Sequence, residues 1–369
     1  MNLVILGAGG FIGRNLGWHL REAGHTAITG ITRADPPDAV AAALRAADFV
    51  FHLAGVNRPD DPADFARGNA DYTAALAQQL RALGRAVPVA FASSTQAALD
   101  NPYGRSKLAA EEALLAYGRA SGAPVHLLRL TNVFGKWARP FYNSAVATFC
   151  HQAARSEPLS VNDPAAPLRL IYVDDVVAAL AALLAGTTPS GFVDTGPVYA
   201  TSVGEVAALL RGFAAGRQQL RAPCAGAGLE RALYATWLTH LAPEAFAYTV
   251  PRHADARGEF VEMLKTPNCG QFSYFTALPG VTRGAHYHHT KTEKFLVLQG
   301  TARFGFRHID DGRTHELVVR GGEGRIVDTV PGWTHDIRNI GDELLIVMLW
   351  ANEVFDREHP DTVAMQVQP

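Results

Sequence analysis

The first half of the chain alternates short apolar segments with longer segments rich in alanine and leucine. From residue 1 to about residue 185, the apolar segments are NLVILG, FVFHLAG, VPVAFASS and VHLLRLTNVFG. Stretches with helical periodicity, such as DYTAALAQQLRALG and KLAAEEALLAYGRASG, lie between them. Strands that alternate with helices predict an α/β fold, in which helices cover both faces of a parallel sheet.

The pattern changes after about residue 248. Turns rich in Gly, Pro, Asp and Asn separate runs of aromatic and β-branched residues, namely QFSYFTAL, EKFLVLQGTARFGFRH, THELVVR and LLIVMLWANEVF. This pattern predicts an all-β sandwich or barrel. Pro243 and Pro251 bracket a linker, so the sequence predicts one domain over residues 1–245 and a second over residues 250–369.

Composition narrows the possible classes of function. Hydrophobic residues make up 48% of the 369 positions, and the formal net charge is -2, so the chain lacks the basic face that binds nucleic acid or an acidic membrane. The longest apolar run, residues 176–186, is too short to span a bilayer. Cys150, Cys224 and Cys269 are far apart and odd in number, which argues against a disulfide framework. We therefore expect a cytoplasmic protein.

The segment GAGGFIG places three glycines directly after the first predicted strand. These are Gly7, Gly10 and Gly13, and Phe11 and Ile12 begin the first predicted helix. Glycines at this spacing let the backbone approach a pyrophosphate, which the N–H groups of the helix N-terminus bind. The pattern predicts a dinucleotide site, and the alternative is a tight strand-to-helix turn that binds nothing.

The residue after the second predicted strand indicates which dinucleotide is used. Arg33 stands where an acidic residue would hold a ribose 2′-hydroxyl. A guanidinium suits a 2′-phosphate instead, so the sequence favours NADP over NAD, with Arg14 as a second contact. The alternative is that Arg33 is an ordinary solvated residue at the end of a strand.

The segment DNPYGRSKLAAEE places Tyr103 and Lys107 four residues apart in a predicted helix that Asn101 caps and Pro102 opens. The two side chains therefore share one face of the helix. A tyrosine normally titrates near pH 10, and an adjacent ammonium favours its phenolate form. This pairing makes Tyr103 a usable proton donor or acceptor.

A strand that ends in FASST supplies hydroxyl groups for the same site. With the glycines, HLAG at residues 52–55, the Tyr-Lys pair, LRLTNVFG and IYVDDVVAA, it resembles the extended short-chain dehydrogenase/reductase family of nucleotide-sugar enzymes. The resemblance covers about residues 1–240 and implies a Rossmann domain with a small substrate lobe. It implies a catalytic set of Ser94, Tyr103 and Lys107, and further cofactor contacts from Leu53, Ala54, Gly55, Lys107 and Asn132.

Two features qualify the catalytic assignment. The interval from Ser94 to Tyr103 is short for that family, so Ser93 and Thr95 remain alternatives. The positions after Ser94 lack the Asp-Glu pair of sugar 4,6-dehydratases, so the sequence favours simple ketone reduction over dehydration.

A second set of chemically active residues lies in GVTRGAHYHHTKTEKFLVLQG, residues 280–300. His286 and His288 are two residues apart on a predicted strand, so they point to one face, and Glu293 follows on the next strand. Imidazole and carboxylate together are ligands for a divalent metal, and His335 supplies a fourth ligand. His289 is one residue out of phase and is not expected to ligate.

The glycine, histidine and glutamate spacing of this segment matches the first motif of the cupin family, whose fold is a jelly roll. The second cupin motif is imperfect because Pro331 and Gly332 are adjacent. A rival resemblance, carried by DARGEF, RGAHY and PGWTH, is to the sugar-nucleotide 3,5-epimerases, a metal-free cupin branch in which His286 would be a base. A third interpretation is a hydrogen-bonded structural cluster. The presence of His288, Glu293 and His335 favours a metal site.

Across nearly the whole chain, including HLAGVNRP, DNPYG, YNSAVATFC, HHTKTEKFLV and NEVFD, the sequence resembles the bifunctional capsular-polysaccharide reductase/epimerases that help make UDP-N-acetyl-L-fucosamine. That resemblance implies a cupin that epimerises C3 of a UDP-2-acetamido-2,6-dideoxy-4-hexulose. It implies a reductase that converts the C4 ketone with NADPH to the UDP-L-talosamine derivative. It also implies zinc in the cupin and a homodimer.

Several alternatives stay open at this point. The base that moves the C3 proton is unassigned, and Lys291, Lys294 and Tyr274 are candidates that are more simply explained as ordinary surface or core residues. A second hypothesis is that the protein is a single-function NADPH-dependent reductase whose cupin is a dimerisation or ligand-sensing module. A non-catalytic NADP sensor is a third possibility, against which the Tyr-Lys pair argues.

Overall fold

The computed structural model of the chain describes residues 1–246, 248, 250–288, 291–309, 311–330, 332–358 and 360–368. The chain forms two compact units, one of residues 1–210 with 232–241 and the other of residues 211–231 with 242–369. Among the residues described, no helix combines the length and the hydrophobicity that a bilayer span requires.

The α-helices are α1 Phe11–Glu22, α2 Pro37–Ala46, α3 Ala63–Phe65, α4 Tyr72–Ala82, α5 Pro102–Ser121, α6 Ala145–Ala154, α7 Val173–Ala182, α8 Val203–Gln218 and α9 Gly228–Leu238. A π-helical stretch, Ala66–Asp71, joins α3 to α4. Short 3-10 helices occupy Thr95–Ala98, Leu183–Ala185 and Pro243–Ala245.

The strands of the first unit are β1 Leu3–Leu6, β2 Ile28–Ile31, β3 Phe49–His52, β4 Val89–Ser94, β5 Val125–Leu130, β6 Asn132–Phe134, β7 Pro167–Tyr172, β8 Gly191–Phe192 and β9 Val198–Ser202. Six of them form a parallel sheet in the order β2-β1-β3-β4-β5-β8. A smaller sheet has the order β6-β7-β9.

The large sheet is buried on both faces, as the apolar strands predict. Along β1, Val4 and Leu6 pack with residues of α2, α4 and α5, whereas Leu3 and Ile5 pack with residues of α1 and α7. Alternate residues of a strand point to opposite faces, so one four-residue strand contributes to both hydrophobic clusters. Each fully buried aliphatic side chain stabilises the fold by about 1.5–3 kcal/mol.

The strands of the second unit are β10 Arg252–Asp255, β11 Gly258–Thr266, β12 Gly270–Ala277, β13 Thr282–Tyr287, β14 Glu293–Gln299, β15 Thr301–His308, β16 Thr314–Arg320, β17 Ile326–Asp328, β18 Trp333–Asn339, β19 Leu345–Ala351 and β20 Val363–Ala364. They form two antiparallel sheets, β10-β11-β12-β19-β14-β17 and β16-β15-β18-β13-β20.

The core of the second unit lies between its two sheets. Phe275, Phe295 and Val347 come from the first sheet, and Phe304 and Ile337 come from the second. The burial of every other residue along β19 is the period-2 pattern of a strand with one face in a core. The predicted all-β second domain is therefore confirmed, and its interior is where side chains from both sheets can meet.

Candidate functional site

The sequence-predicted residues of the first unit gather at one edge of its parallel sheet, the edge where the strands end. The residues at or just after strand ends are Gly7 after β1, Arg33 after β2, Leu53, Ala54 and Gly55 after β3, Ser94 in β4 and Asn132 after β5. In open α/β sheets, ligands bind outside the carboxyl ends of the strands. The topology thus places the predicted cofactor and catalytic residues along the same edge.

The turn from β1 to α1 requires its glycines. Gly7 has a φ of 86°, and a Cβ there would lie 2.7 Å from the backbone nitrogen of Ala54. A Cβ on Gly13 would lie 2.2 Å from the carbonyl oxygen of Gly7. No side chain caps α1 at Gly10. The start of the helix, with Phe11 and Ile12, therefore keeps its N-terminal N–H groups free of a competing side-chain acceptor.

Gly30 of β2 belongs to the same turn and was missed by sequence reasoning. A Cβ on Gly30 would lie 2.8 Å from the Cβ of Ala8, so the second strand passes directly beside the glycine loop. Its sequence signal was a glycine inside a predicted strand, which often marks a close approach of two backbones.

Arg33 and Arg14 have different surroundings. Arg33 is exposed in the turn after β2, and Asp35 shapes that turn by accepting hydrogen bonds of 2.7 Å from both the backbone N–H and the hydroxyl of Thr32. These bonds lower the pKa of Asp35. The Arg14 guanidinium lies 5.1 Å from the ring centre of Trp137, in the loop that follows β6. The structure thus brings Arg14 to the loop after Asn132 and leaves Arg33 facing solvent.

The start of α5 confirms the predicted cap. The Asn101 side chain accepts a 2.8 Å hydrogen bond from the N–H of Gly104, and Pro102 is the first helical residue. Tyr103 and Lys107 follow one turn apart on the same face. Burial raises the pKa of Tyr103, and the interaction of its phenol with the Ser94 side chain partly opposes that rise.

The three hydroxyl groups of FASST have different neighbours in the structure. Ser93 donates a 2.5 Å hydrogen bond to the carboxylate of Glu111 and is turned toward the interior. Thr95 contacts the carbonyl of Leu130 at 3.5 Å. Of the three hydroxyls, Ser94 is the one that interacts with the phenol of Tyr103, so it stays the predicted catalytic hydroxyl.

Lys107 is a buried cation. Its Nζ donates a 2.9 Å hydrogen bond to the carbonyl of Ala92 and lies 4.7 Å from the ring centre of Phe91. Burial lowers the pKa of Lys107 to about 8, and the negative charge of Glu111 on the same helix opposes the shift. Glu111 is itself held by Arg129, through bonds of 2.7 and 2.9 Å.

Asn69 is a second residue of this site that sequence reasoning missed. It lies in the π-helical stretch, exchanges hydrogen bonds of 2.8 and 2.9 Å with the backbone of Val56, and donates a 3.0 Å bond to Ser106. A Cβ on Gly55 would lie 2.9 Å from the Asn69 Oδ1 and 3.3 Å from the Lys107 Nζ. Periodicity carries no signal for this contact, because a π-helical turn depends on tertiary packing.

The four predicted metal-binding residues of the second unit come together. In His286, His288, Glu293 and His335, one ligand atom from each lies within 4.8 Å of the others. His286 pairs with His335 across β13 and β18, next to a register shift where Ala285 has a φ of 62°. Such a bulge re-aims the side chains that follow it. Glu293 begins β14 in the opposite sheet, so the cluster spans the sandwich.

The hydrogen bonds of this cluster fit a bound cation. His288 Nδ1 contacts the backbone carbonyl of Asp361, so that nitrogen carries a proton. In a neutral imidazole, Nε2 then presents a lone pair to the Glu293 Oε2, only 3.3 Å away. Two electron-rich atoms at that distance need a proton or a cation between them. His335 Nδ1 is also buried with no hydrogen-bond partner among the described residues.

Electrostatics favours a neutral His286 and an ionised Glu293. Burial lowers the pKa of His286 to about 4, with a further contribution from His335. Burial alone would raise the pKa of Glu293, but its contacts with His288 and His335 and the charge of Lys291 hold it well below its usual range. Three neutral imidazoles and one carboxylate are a donor set that suits zinc.

The three base candidates differ in position. Lys291 is buried, and its Nζ lies 3.4 Å from the Glu293 Oε1. Lys294 is exposed and pairs with Asp328 at 2.5 Å. Tyr274 alternates with Phe275, whose side chain enters the core, so it points to the other face of β12. Of these three, Lys291 borders the cluster. His289 and Pro331 lie outside the described residues.

Comparison with known proteins covers both units. The NAD dependent epimerase/dehydratase family matches residues 3–191, and the polysaccharide biosynthesis C-terminal domain matches residues 253–363. A Pseudomonas aeruginosa UDP-2-acetamido-2,6-beta-L-arabino-hexul-4-ose reductase is 51% identical, over 100% of this chain and 99% of that protein. The capsular polysaccharide assembling protein CapF from Staphylococcus aureus is 40% identical, with a TM-score of 0.92 over 100% of both chains. The chain belongs to the CapF-like family of capsular polysaccharide proteins.

Family membership confirms the predicted fold class, a Rossmann-like domain followed by an all-β cupin domain. A second CapF structure, with the inhibitor 3-isopropenyl-tropolone, is 36% identical with a TM-score of 0.87 over 100% of both chains. The UDP-glucose 4-epimerase of Thermus thermophilus, in complex with NAD, is 19% identical with a TM-score of 0.53. It covers 65% of this chain and 99% of its own, and this likeness shows the fold alone.

The burial of Lys107 predicts a pH-dependent contribution to stability. The folded protein releases this proton near pH 8, whereas the unfolded chain holds it to about pH 10.5, so the unfolded state binds more protons in that window. Compared with Lys107→Met, the wild-type free energy of unfolding should therefore rise as pH increases from about 8 toward 10.5. Urea unfolding of both proteins across the window measures the difference. The control, Lys294→Met, removes an exposed lysine, and a rise of equal size there would assign the effect to net charge.

Proposed function

We propose that the chain is a bifunctional nucleotide-sugar enzyme. The cupin domain, within residues 250–369, epimerises C3 of a UDP-2-acetamido-2,6-dideoxy-4-hexulose. The reductase domain, within residues 1–245, then reduces the C4 ketone with NADPH to UDP-2-acetamido-2,6-dideoxy-L-talose, on the route to UDP-N-acetyl-L-fucosamine. The observation that carries this proposal is the presence in one chain of a Ser94-Tyr103-Lys107 set and a buried cluster of three histidines and one glutamate. The name of the 51% identical relative supports the reductase half.

One functional group of the substrate links the two activities. A ketone at C4 withdraws electrons from C3 and makes the C3 hydrogen acidic enough to be removed and returned. The same ketone accepts a hydride. A substrate with this ketone can therefore react at both sites. Epimerisation has to precede reduction, because the alcohol that reduction produces no longer acidifies the C3 hydrogen.

In the reductase, each residue has one task. Ser94, at the end of β4, donates a hydrogen bond that orients the C4 oxygen, and Tyr103 donates the proton that this oxygen takes up. Lys107, one helical turn from Tyr103 and held by the carbonyl of Ala92, has the task of favouring the phenolate that remains. Bound NADPH supplies the hydride.

The predicted cofactor contacts lie along the edge of the parallel sheet at which its strands end. The N-terminus of α1, reached through Gly7, Gly10 and Gly13, suits a pyrophosphate, and Arg33 suits a 2′-phosphate. Arg14, the predicted second contact, lies beside Trp137. Leu53, Ala54, Gly55, Lys107 and Asn132 complete the predicted set.

In the cupin, His286, His288, Glu293 and His335 would hold a divalent metal, for which zinc fits the donors best. When bound, such a metal polarises a carbonyl oxygen as a Lewis acid. Asp361 orients His288 through its backbone carbonyl. Lys291 borders the cluster, which makes it the residue to test as the C3 base. A homodimer, implied by the family resemblance, stays a prediction.

Tyr103→Phe tests whether the two activities are separate. Removing the proton donor should lower NADPH oxidation about 10²- to 10⁴-fold. Uptake of deuterium at C3 from heavy water, with the UDP-4-keto sugar as substrate, should stay at the wild-type rate, since the cupin residues are unchanged. Cofactor absorbance follows the first reaction, and proton NMR of the sugar follows the second.

The matched control is Tyr142→Phe, which removes an exposed phenol from the same unit and should change neither rate. If Tyr103→Phe stops both reactions, the two-site model is wrong. If wild-type protein reduces the ketone but never exchanges C3, the protein is a reductase whose cupin serves another purpose.

Metal analysis tests the cupin assignment. Purified protein should carry about one zinc per chain, and His288→Gln should lower zinc affinity of the apoprotein by at least about tenfold in calorimetry. Chelation should stop C3 exchange without slowing reduction of an already epimerised substrate. His253→Gln, an exposed histidine of the same unit, is the control. Metal-free protein that still exchanges C3 would show that His286 acts as a base and that the ligand assignment is wrong.

Arg33→Gln tests the choice of cofactor. Loss of a charge-assisted contact to the 2′-phosphate should raise KM for NADPH roughly tenfold or more. KM for NADH should not change, because NADH has no 2′-phosphate. Steady-state kinetics with both cofactors measures the ratio, and Arg45→Gln, an exposed arginine at the end of α2, is the control. Equal effects on NADPH and NADH would remove Arg33 from the cofactor site.

A further inference from the structure

The C-terminal residues of the chain lie along one of the two sheets of the second unit. We call residues 361–367 the C-terminal strap. Its two-residue strand β20 pairs antiparallel with β13, where Ala364 stands opposite His286. The N–H of Met365 continues this pairing with a 2.9 Å hydrogen bond to the carbonyl of Ala285. The strap therefore forms the edge of the sheet, directly beside the strand that holds His286.

The start of the strap holds a second histidine of the cluster. The backbone carbonyl of Asp361 accepts a hydrogen bond from His288 Nδ1, so that Nε2 faces Glu293. The Asp361 carboxylate accepts a 2.7 Å hydrogen bond from the N–H of Lys291, which precedes Glu293 by two residues. Asp361 thus fixes one predicted ligand directly and the backbone close to another.

The end of the strap lies on the outer face of the same sheet. His335 of β18 points into the cluster, so its neighbour Thr334 points outward. The hydroxyl of Thr334 donates a hydrogen bond to the carbonyl of Met365, and Thr334 is completely buried. Val367 is buried beside the next strand, β15, where a Cβ on Gly305 would lie 3.3 Å from the valine side chain. The strap therefore covers the back of the strand that supplies His335.

The strap itself buries little apolar surface. Within residues 361–367, all of which the structure describes, Val367 is the one buried residue, and Val363 is 39% exposed. Chain termini with little buried surface detach at a low cost in free energy. The hydrogen bonds to β13, β18 and His288 therefore supply much of what holds the strap in place.

These hydrogen bonds connect the position of the strap to the predicted metal ligands. A histidine binds a metal more tightly when a partner on its other ring nitrogen fixes its tautomer and its direction. An undocked strap leaves His288 Nδ1 without the carbonyl of Asp361, and the ring is then free to turn. By linkage, anything that makes the metal bind more tightly to the docked form makes the strap dock more firmly to the metal-bound form.

We propose that the C-terminal strap is a positioning element of the metal site, and that docking of the strap and binding of a divalent cation favour each other. Asp361 positions His288, and Thr334 holds the end of the strap against β18. This inference rests on the metal assignment of the proposed function. It goes beyond that function by making the affinity for the metal depend on a segment that supplies no ligand.

Amide hydrogen exchange of the full-length protein, read by mass spectrometry, tests the coupling. Zinc added to the apoprotein should slow exchange in the peptide that contains residues 363–367 about tenfold or more, because partners of a metal-binding histidine change metal affinity about 10- to 100-fold and the coupling is reciprocal. Strand β16, at the opposite edge of the sheet, is the internal reference and should exchange equally in both states. A strap that only stabilises the fold would be equally protected with and without zinc.

Thr334→Val combined with Val367→Gly weakens docking of the strap and leaves the four predicted ligands in place. The first change removes the hydroxyl that binds Met365, and the second removes the buried side chain. In the apoprotein, residues 363–367 should then exchange about tenfold faster or more. Zinc affinity measured by calorimetry should fall about tenfold or more, because His288 loses the partner that orients it.

The matched control is Thr314→Val combined with Val318→Gly, which makes the same two replacements at exposed positions of β16. It should keep the zinc affinity of the wild type. Amide exchange in β12 and β19 should stay at the wild-type rate in both variants, which shows that the core of the unit is intact.

Wild-type zinc affinity in the Thr334→Val and Val367→Gly variant would overturn the proposal. Zinc that binds without slowing amide exchange in residues 363–367 would refute the strap and leave the metal site standing. Zinc that protects the strap in a protein that never exchanges the C3 proton would refute the epimerase function alone. Wild-type protein that binds no zinc would remove the metal site and the coupling together.

Discussion

The candidate site of each unit is built around a buried charge and the groups that make its burial tolerable. Moving an ion out of water costs several kcal/mol unless opposite charge or hydrogen bonds compensate. Lys107 meets this cost with the carbonyl of Ala92, the ring of Phe91 and the charge of Glu111. Glu293 meets it with three histidines and Lys291. The surrounding fold serves to hold these partners in place.

The two folds bring distant functional residues together in different ways. In the parallel sheet, all strands end at one edge, so residues far apart in the chain, such as Gly55, Ser94 and Asn132, reach one edge of the sheet without any local motif linking them. In the sandwich, facing strands of two sheets bring Glu293 to His335 across the interior. The first arrangement leaves an open edge for a long cofactor. The second encloses a small polar cluster in an apolar core, where electrostatic interactions are strong.

Close approaches between backbones explain several residues that have no chemistry of their own. Gly7, Gly13 and Gly30 leave no space for a Cβ where the first strand, the first helix and the second strand meet. Gly55 does the same beside Asn69 and so brings the loop after β3 to Lys107. In both places a missing side chain sets the distance between functional groups.

The amino-acid sequence by itself determined the order and type of elements, the cap of α5, and the spacing of Tyr103-Lys107 and His286-His288, because these depend on local periodicity and on residues near in the chain. Tertiary structure alone decided that Ser93 turns inward to Glu111 whereas Ser94 lies beside the phenol. It also decided that Asn69 joins the site and that Lys291 borders the cluster. These choices depend on packing between distant segments, where the direction of a single side chain follows from its neighbours and leaves no period in the sequence.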